Sequence, residues 1–191
     1  MTGASIHIVE YDPCWKTSLN KFKDVLWPVV ADYSIGFEHV GSTAVEGLEA
    51  KPIIDIDIVV SSMDALLKVI GRLVPLGHVH QGELGIKGRH AFFQQENVSK
   101  LNLYVCLEGS LSLRNHLALR DYLRAHPAAV KKYSNLKKRL AQQYPNNIGC
   151  YVERKTSFIA AILERCSFTP CELLNVASSN KSPKTIIQSD H

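Results

Sequence analysis

The stretch "HVGSTAVEGLEAKPIIDIDIVV", residues 39–60, decides the fold. It contains a Gly-Ser pair, a short polar segment, Lys-Pro, and then a run of β-branched residues that is typical of a strand. Two acids, Asp55 and Asp57, lie inside that run. Residues two apart in a strand share a face. Both carboxylates therefore project from one side, and the isoleucines that alternate with them are predicted to face the core.

The acidic pair has two interpretations. Two neighbouring carboxylates repel each other, and holding them out of water without compensation is costly. A divalent cation would remove that cost, and Mg²⁺ is commonly bound by one or two carboxylates together with phosphate oxygens. The spacing therefore predicts a Mg²⁺ (or Mn²⁺) site at Asp55 and Asp57. The alternative is a solvated or edge strand whose outer face is acidic.

The Gly-Ser-Thr segment at residues 41–43 also has two interpretations. Thr43 and Glu46 have the spacing of a capping box, so Ser42 or Thr43 would cap a turn of helix that Gly47 ends. A glycine and a hydroxyl at a helix start also form a site for phosphate. A phosphate loop beside an acidic strand is the arrangement that phosphoryl or nucleotidyl transfer requires.

The remaining pattern predicts a mixed α/β (α+β) fold. Strands are predicted over residues 6–8, 33–40, 52–60, within 78–95, and 101–109. Helices are predicted over residues 15–30, 63–77, 112–126, 127–145 and 149–166. The expected organisation is an α/β core over residues 1–110 and a helical C-terminal part over 111–168 that packs on it. Residues 169–191 have no periodicity and are predicted to form a disordered tail.

Composition indicates an ordinary soluble domain. The 191 residues are 46% hydrophobic and 21% charged, and no apolar run approaches the roughly 20 residues that span a bilayer. No signal peptide is expected from the N-terminus, and the five scattered cysteines have no zinc spacing. We therefore expect a cytoplasmic protein with reduced thiols and no membrane partner. No Ser-His-Asp or Cys-His pattern favours a covalent hydrolase.

Charge is distributed unevenly along the chain. Residues 1–112 carry 9 basic and 13 acidic residues, whereas residues 113–165 carry 11 basic and 3 acidic residues. A basic second half facing a polyanion is one explanation, and a solvated helical surface is the other. A nucleic-acid partner is not favoured, because the chain lacks an RNA-binding module or an aromatic-basic stripe.

The residues that carry these patterns resemble the GrpB family, within the nucleotidyltransferase superfamily that includes DNA polymerase beta. The resemblance rests on residues 39–60 and continues in "GELGIKGRHAF" (82–92), "NLYVC" (102–106), "LRNHLALRDYLRAHP" (113–127), "YSNLKKRLAQQYP" (133–145) and "ERKTSFI" (153–159). It covers roughly residues 6–165. It implies a nucleotidyltransferase-like mixed sheet with a helical C-terminal part.

The resemblance also implies a function. Gly41 and Ser42 match the phosphate-contacting loop, and Asp55 and Asp57 match the metal carboxylates. The expected activity is Mg²⁺-dependent transfer of a nucleoside monophosphate from an NTP to a small-molecule acceptor. The alternative is a non-catalytic nucleotide-binding or folding-assistance module that retains the fold.

One departure from the superfamily pattern favours the alternative. Active members usually supply a third carboxylate from the strand that corresponds to "KLNLYVCLEG", residues 100–109, yet no acid precedes Glu108 there. Glu83 or Glu108 would have to substitute. Leu101 also replaces a histidine that is common before "NLYVC".

Further candidates for nucleotide binding are hydroxyl and basic residues: Thr43, Lys51, Arg89, Arg120 and Arg124. Lys51 would neutralise a phosphate or cap an exposed strand end. Arg89 would clamp a phosphate or the acceptor, unless it is a surface turn charge. Arg120 and Arg124, four apart on one predicted helix with His116, would form a phosphate-binding surface if that helix faces the acidic strand. Lys137 and Lys155 are weaker candidates.

Overall fold

A five-stranded mixed sheet forms the centre of the computed structural model, which describes residues 5–94 and 100–181. The strands are β1 (Gly36–Val40), β2 (Ile54–Val60), β3 (His78–His80), β4 (Arg89–Gln94) and β5 (Leu101–Leu107). Their order is β1-β2-β5-β4-β3, in which β2 and β5 are parallel and the other pairs are antiparallel. The predicted fold class, a mixed sheet with packed helices, is confirmed.

Six α-helices accompany the sheet. They are α1 (Cys14–Val30), α2 (Met63–Leu73), α3 (Leu111–Ala125), α4 (Pro127–Gln143), α5 (Ile148–Arg165) and α6 (Pro170–Lys181). Within the described ranges, no helix has both the length and the apolar character needed to cross a bilayer.

One face of the sheet is apolar and packs against α1 and α2. Ile54, Ile56 and Ile58 point to this side and are at most 2% exposed, as the alternation in β2 predicts. Leucines and a valine of β5 join them, together with apolar residues of the two helices. Burying a side chain of this size contributes about 1.5–3 kcal/mol, so this face holds the main core of the fold.

The opposite face is polar. The pairing register aligns Asp55 with Asn102 and Asp57 with Tyr104 across β2 and β5, and β4 adds Arg89 opposite Cys106. Helix α3 contacts β1 and β5 on this side, and α4 and α5 pack on α3. The acidic face of β2 is therefore covered by helices, and the hypothesis of a solvated or edge strand is wrong.

The N-terminal strand prediction is wrong. Residues 6–8 form no strand, and only Val9 makes an isolated antiparallel bridge with Ala50. Ile6 instead donates its backbone N–H to the Pro145 carbonyl at 2.8 Å and packs near Tyr151. Ile6 and Ile8 thus pack against residues of α4 and α5 instead of pairing with a neighbouring strand.

The prediction of a disordered tail from residue 169 is wrong for Pro170–Lys181, which form α6. Thr169 caps this helix: its hydroxyl oxygen accepts the Glu172 N–H at 3.3 Å, and the Glu172 carboxylate in turn accepts the Thr169 N–H at 2.8 Å. Glu172 also pairs with Arg114 of α3 at 2.5 Å, and Val176 is buried. The sequence of this segment has little hydrophobic periodicity, so no helix is predicted there, although capping and packing stabilise one. The rest of the predicted tail, residues 182–191, lies outside the described ranges.

Candidate functional site

The two acids of β2 have different surroundings, although they share a face. Asp55 lines a pocket on the polar side of the sheet and accepts a hydrogen bond from the Asn102 amide at 2.7 Å. Asp57 is fully buried, and one of its oxygens lies 2.7 Å from Nδ1 of His116. Its other oxygen, Oδ1, has no hydrogen-bond partner among the described residues. A buried carboxylate oxygen without a partner is unusual and calls for a ligand or ion.

The surroundings of the acidic pair disfavour the charged form of the Asp55 carboxyl. Burial raises the pKa of the Asp55 carboxyl above its usual range, and the charge of Asp57 adds to that increase. The Asn102 hydrogen bond, His116 and Lys51 oppose it without cancelling it. A cation beside the carboxylate would stabilise the charged form, because an opposite charge at short range lowers a carboxyl pKa.

Gly41 brings the backbone of the 41–44 loop directly onto Asp55. Its φ is +71°, and a Cβ at this position would lie 2.3 Å from Oδ2 of Asp55. The next residues, Ser42–Ala44, form a short 3₁₀ turn. Both the left-handed backbone and the close approach therefore require glycine here.

Thr43 points away from the pocket. Its hydroxyl donates to the Ile53 carbonyl at 3.2 Å and lies 3.1 Å from Nε2 of His39. The predicted capping box with Glu46 does not form, because no side chain caps this turn. The predicted role of Thr43 in nucleotide binding has no geometric support, because its hydroxyl contacts Ile53 and His39 and does not line the pocket.

The pocket, about 250 Å³ in volume, is rich in positive charge. Five cationic side chains line it: Lys51, Arg89, Arg120, Lys137 and Lys155. The acid among its lining residues is Asp55, with the hydroxyls of Ser42, Tyr104, Tyr133 and Tyr151 beside it. This composition suits an anion that carries several negative charges.

Lys137 reaches the Gly-Ser loop from α4. Its ammonium donates to Oγ of Ser42 at 3.0 Å and to the carbonyl of Glu49, and its side chain is 2% exposed. Burial, followed by the charge of Lys155, lowers the Lys137 pKa well below its usual range. A bound anion would offset both effects, so this lysine has a larger part in the pocket than its sequence context indicates.

The arginines of α3 divide between two tasks. Arg120 lines the pocket and is held by Glu38 at 2.6 Å, by Asp121 at 2.8 Å and by the His39 carbonyl at 3.1 Å. Arg124 instead donates twice to the Ala44 carbonyl, at 3.0 and 2.8 Å. The structure thus places Arg120 at the pocket, whereas Arg124 braces the far end of the loop.

Arg89 and Lys51 reach the pocket from opposite sides. Arg89 is 3% exposed, its guanidinium lies 4.5 Å from the Tyr104 ring centroid, and its Nε has no partner within the described chain. It is therefore not a surface turn charge. Lys51 precedes β2 and is partly buried; burial lowers its pKa while Asp55 acts in the opposite direction.

Neither proposed substitute for the third carboxylate lines the pocket. Glu83 accepts the Gly88 N–H at 2.7 Å in the turn before β4, and Glu108 follows the end of β5. At the strand position beside Asp55 the side chain is Asn102, an amide. Within residues 5–94 and 100–181, no group of three His, Cys, Asp or Glu side chains could hold a metal ion.

Sequence reasoning missed Asn102, Tyr104 and the His116–Asp57 contact. The neighbours of Asp55 follow from the parallel β2–β5 register, which local patterns do not specify. A signal did exist for His116, because it lies four residues before Arg120 on the same helical face.

The sequence model of the family described as "GrpB protein" matches residues 5–165. The chain belongs to the GrpB family. It is 35% identical over 154 residues to the UPF0157 protein YqkA of Bacillus subtilis (strain 168), covering 81% of this chain. It spans about half the length of that relative, since the match covers 45% of YqkA. The family expected from residues 39–60 is thus confirmed, and α6 lies beyond the matched residues.

The solved structure of a GrpB protein agrees with this assignment. The conserved protein GrpB from Enterococcus faecalis matches with a TM-score of 0.76 and 30% identity, over 83% of this GrpB-family chain and 96% of that chain. The Cid1 poly(U) polymerase, bound to MgGTP, is more distant. Its TM-score is 0.48 at 17% identity, over 71% of this chain and 44% of that chain.

Proposed function

We propose that this GrpB-family chain binds an NTP with Mg²⁺ and transfers its nucleoside monophosphate to a small-molecule acceptor. The observation that carries the proposal is the composition of the pocket on the polar face of the sheet. There, Asp55 lies under a glycine loop and is surrounded by five cationic side chains. A triphosphate matches the cations, and a divalent metal matches the acid.

The residues present fit a magnesium ion. Asp55, which lines the pocket, would hold it, with the remaining positions taken by phosphate oxygens and water, as is usual for Mg²⁺. Asp57 is fully buried and does not line the pocket, so its partnerless Oδ1 would become a second ligand only after a local rearrangement. A bound Mg²⁺ supplies charge neutralisation at the reacting phosphate. Mn²⁺ prefers similar oxygen ligands and would serve in its place.

The phosphates would lie against the Gly-Ser loop. Ser42 offers a hydroxyl that Lys137 already orients at 3.0 Å, and Lys51 and Arg120 add positive charge on either side. An Arg guanidinium binds phosphate through paired N–H groups, and a Lys ammonium through a compact charge. These side chains thus bind and orient the triphosphate before the acceptor arrives.

In the transfer step, an acceptor hydroxyl oxygen forms a bond to the α-phosphorus. The bond from that phosphorus to the oxygen leading to the β-phosphate breaks, and pyrophosphate leaves with the electron pair. The hydroxyl proton passes to water in the open pocket. Catalysis then rests on positioning and charge stabilisation, as in phosphoryl transfer generally.

One observation favours a second candidate function, nucleotide binding without turnover. Asn102 stands beside Asp55 where the superfamily pattern has a further carboxylate, and its amide is already used by Asp55 at 2.7 Å. An amide cannot accept the proton of an attacking hydroxyl. The chain would then use the same pocket to hold a nucleotide.

The proposal is tested by thermal shift with ATP, GTP, CTP and UTP, each with and without Mg²⁺. We expect a metal-dependent rise in Tm for at least one NTP, because a ligand that binds only the folded state stabilises it. Asp55→Asn should abolish the metal-dependent part, and the matched control Asp24→Asn, on the exposed surface of α1, should keep it.

Pyrophosphate release then separates the two candidate functions. Release that depends on Mg²⁺ and on Asp55 supports the transferase. An NTP that binds tightly without any release, across a panel of hydroxyl-bearing acceptors, supports the binding function. No metal-dependent shift with any NTP would overturn the transferase, and no shift with any NTP, with or without Mg²⁺, would overturn both.

A further inference from the structure

A second cavity, about 740 Å³, adjoins the pocket on the polar face; we name it the α6 groove. It is bounded by the turn at residues 85–88, the start of α3, and α6. The two cavities share four lining residues: Arg89, Asn115, His116 and Asn180. A ligand in the α6 groove would therefore lie beside whatever occupies the pocket.

Two polar groups on this shared border lack partners within the described residues. They are Nε of Arg89, whose residue is 3% exposed, and the carbonyl oxygen of the Asn115 side chain. A buried guanidinium N–H without an acceptor and a buried carbonyl without a donor each cost free energy. An anionic group beside Arg89 and a hydroxyl beside Asn115 would satisfy both.

Apart from Arg89, the α6 groove carries one positive and one negative side chain and is rich in hydrogen-bonding groups. Hydroxyls and amides line it, among them Ser110, Ser112, Asn175, Ser178 and Ser179. Its charged residues are two cations, Lys87 and Arg89, and one acid, Glu108. Apolar side chains, including Ile86 and Leu111, cover part of its surface.

From these features we propose that the α6 groove is the acceptor site and takes a polyhydroxylated anion, a sugar or polyol bearing a carboxylate or phosphate. This inference rests on the proposed function, because it names the acceptor of the same transfer. Arg89 binds the anionic group, the hydroxyls and amides bind the polyol, and the apolar side chains contact its C–H surface. One hydroxyl then faces the nucleotide across the shared border.

Helix α6 lies outside the residues that the family model matches. The family match ends at residue 165, whereas the α6 wall of the groove begins at Asn175. Asn180 is fixed to α5 by a hydrogen bond to the Thr156 hydroxyl at 3.2 Å. One wall of the proposed acceptor site is therefore formed by a segment outside the family match, whereas Arg89 and the start of α3 lie inside it.

The test measures binding of four probes to the full chain by calorimetry: gluconate and glucose 6-phosphate as anionic polyols, and sorbitol and glucose as neutral controls. We expect at least one anionic probe to bind, and its neutral counterpart to bind about tenfold more weakly, since a charge-assisted hydrogen bond is lost. Arg89→Gln should weaken the anionic probe by a similar factor.

A groove-filling variant separates this site from the nucleotide pocket. Ser179→Trp should weaken the anionic probe about tenfold by steric exclusion, while the Mg²⁺-dependent NTP shift stays at the wild-type value. Leu174→Trp is the matched control on the same helix, because Leu174 is 69% exposed and lies outside the groove. It should bind the probe as the wild type does.

The outcomes distinguish the two proposals. If an NTP binds and neither anionic probe does, or if sorbitol binds as tightly as gluconate, the acceptor assignment is overturned and the proposed function stands. If an anionic probe binds in the α6 groove and no NTP gives a metal-dependent shift, the proposed function fails instead. Equal weakening by Leu174→Trp and Ser179→Trp would also overturn the assignment.

Discussion

The two faces of β2 belong to the same seven residues, yet their surroundings differ completely. On one face, Ile54, Ile56 and Ile58 pack into a continuous apolar core with α1 and α2. On the other, Asp55 lies among amides, aromatic hydroxyls and cations, and Asp57 is buried against His116 of α3. The apolar face is closed by packing, whereas the polar face encloses a cavity.

Because side chains alternate along β2, residues on one face contribute to folding stability and residues on the other face to binding. A side chain at an even-numbered position of β2 contributes mainly to the free energy of folding. The carboxylate at position 55 costs folding free energy through desolvation, which a ligand that supplies positive charge would offset. Mutations on the two faces should therefore give opposite patterns of stability and binding.

The largest effect is expected on the apolar face. Ile56→Ala removes a side chain that is 0% exposed, so the free energy of unfolding should fall by about 3–4 kcal/mol. Urea denaturation measures the loss. At low temperature, where the variant remains folded, its Mg²⁺-NTP affinity should match the wild type. A loss below about 1 kcal/mol would mean that this face is not the main core.

Gly41→Ala sharpens the comparison on the polar face. The new Cβ would meet Oδ2 of Asp55 at 2.3 Å, and the φ of +71° adds strain. We expect about 2–3 kcal/mol of destabilisation and loss of the Mg²⁺-NTP thermal shift. Gly47→Ala is the control, because its φ is +74° but nothing lies within 4 Å, and it should cost only about 1 kcal/mol. Equal effects would show that contact with Asp55 is unimportant.

His39, at the end of β1 just before the 41–44 loop, should make the stability of the fold depend on pH. His39 pairs in register with Ile56; burial, followed by the charges of Arg124 and Arg120, lowers its pKa from 6.5 to about 4. The folded state thus favours neutral histidine. Its stabilisation is complete above pH 6.5 and is lost progressively as the pH falls toward 4. We expect a loss of about 1–2 kcal/mol over this window, after allowance for the partly exposed ring.

Denaturation curves at several pH values check this expectation. His39→Gln should flatten the slope between pH 6.5 and 4, because glutamine does not titrate. His126→Gln is the control, since His126 lies on the exposed end of α3. An unchanged slope in His39→Gln would contradict the assigned pKa direction.

The smallest effect is expected for Glu83→Gln. Glu83 is one of the two acids that would have replaced the missing third carboxylate, but it accepts the Gly88 N–H instead and lies outside the pocket. Metal-dependent NTP binding and any pyrophosphate release should stay within about twofold of the wild type. A loss as large as that of Asp55→Asn would reinstate Glu83 as a site residue.

Local patterns predicted the parts of the molecule that depend on local geometry. The alternation in β2 placed both acids on one face and the isoleucines on the other, because the side-chain period of a strand is two. The stripe of apolar residues likewise predicted α1. These features need no knowledge of what lies next to them.

Features that depend on distant partners could not be predicted in the same way. The position of Asn102 beside Asp55 follows from a parallel pairing, and the burial of Arg89 follows from the antiparallel register of β4. Thr43 has the spacing of a cap, but it bonds to the Ile53 carbonyl and to His39 instead. Helix α6 is held by packing of Val176 against α5 and by the ion pair of Glu172 with Arg114, whose partners lie 58 residues apart in the chain.

The parallel pairing of β2 with β5 also bears on how the chain reaches its native state. Asp55 and Asn102 are 47 residues apart, and the segment between them contains α2, β3 and β4. Closing such a loop carries an entropic cost, and sheets with non-local pairing fold slowly. The pocket is therefore completed late in folding, and a nucleotide added during refolding would bind only chains that have passed this step.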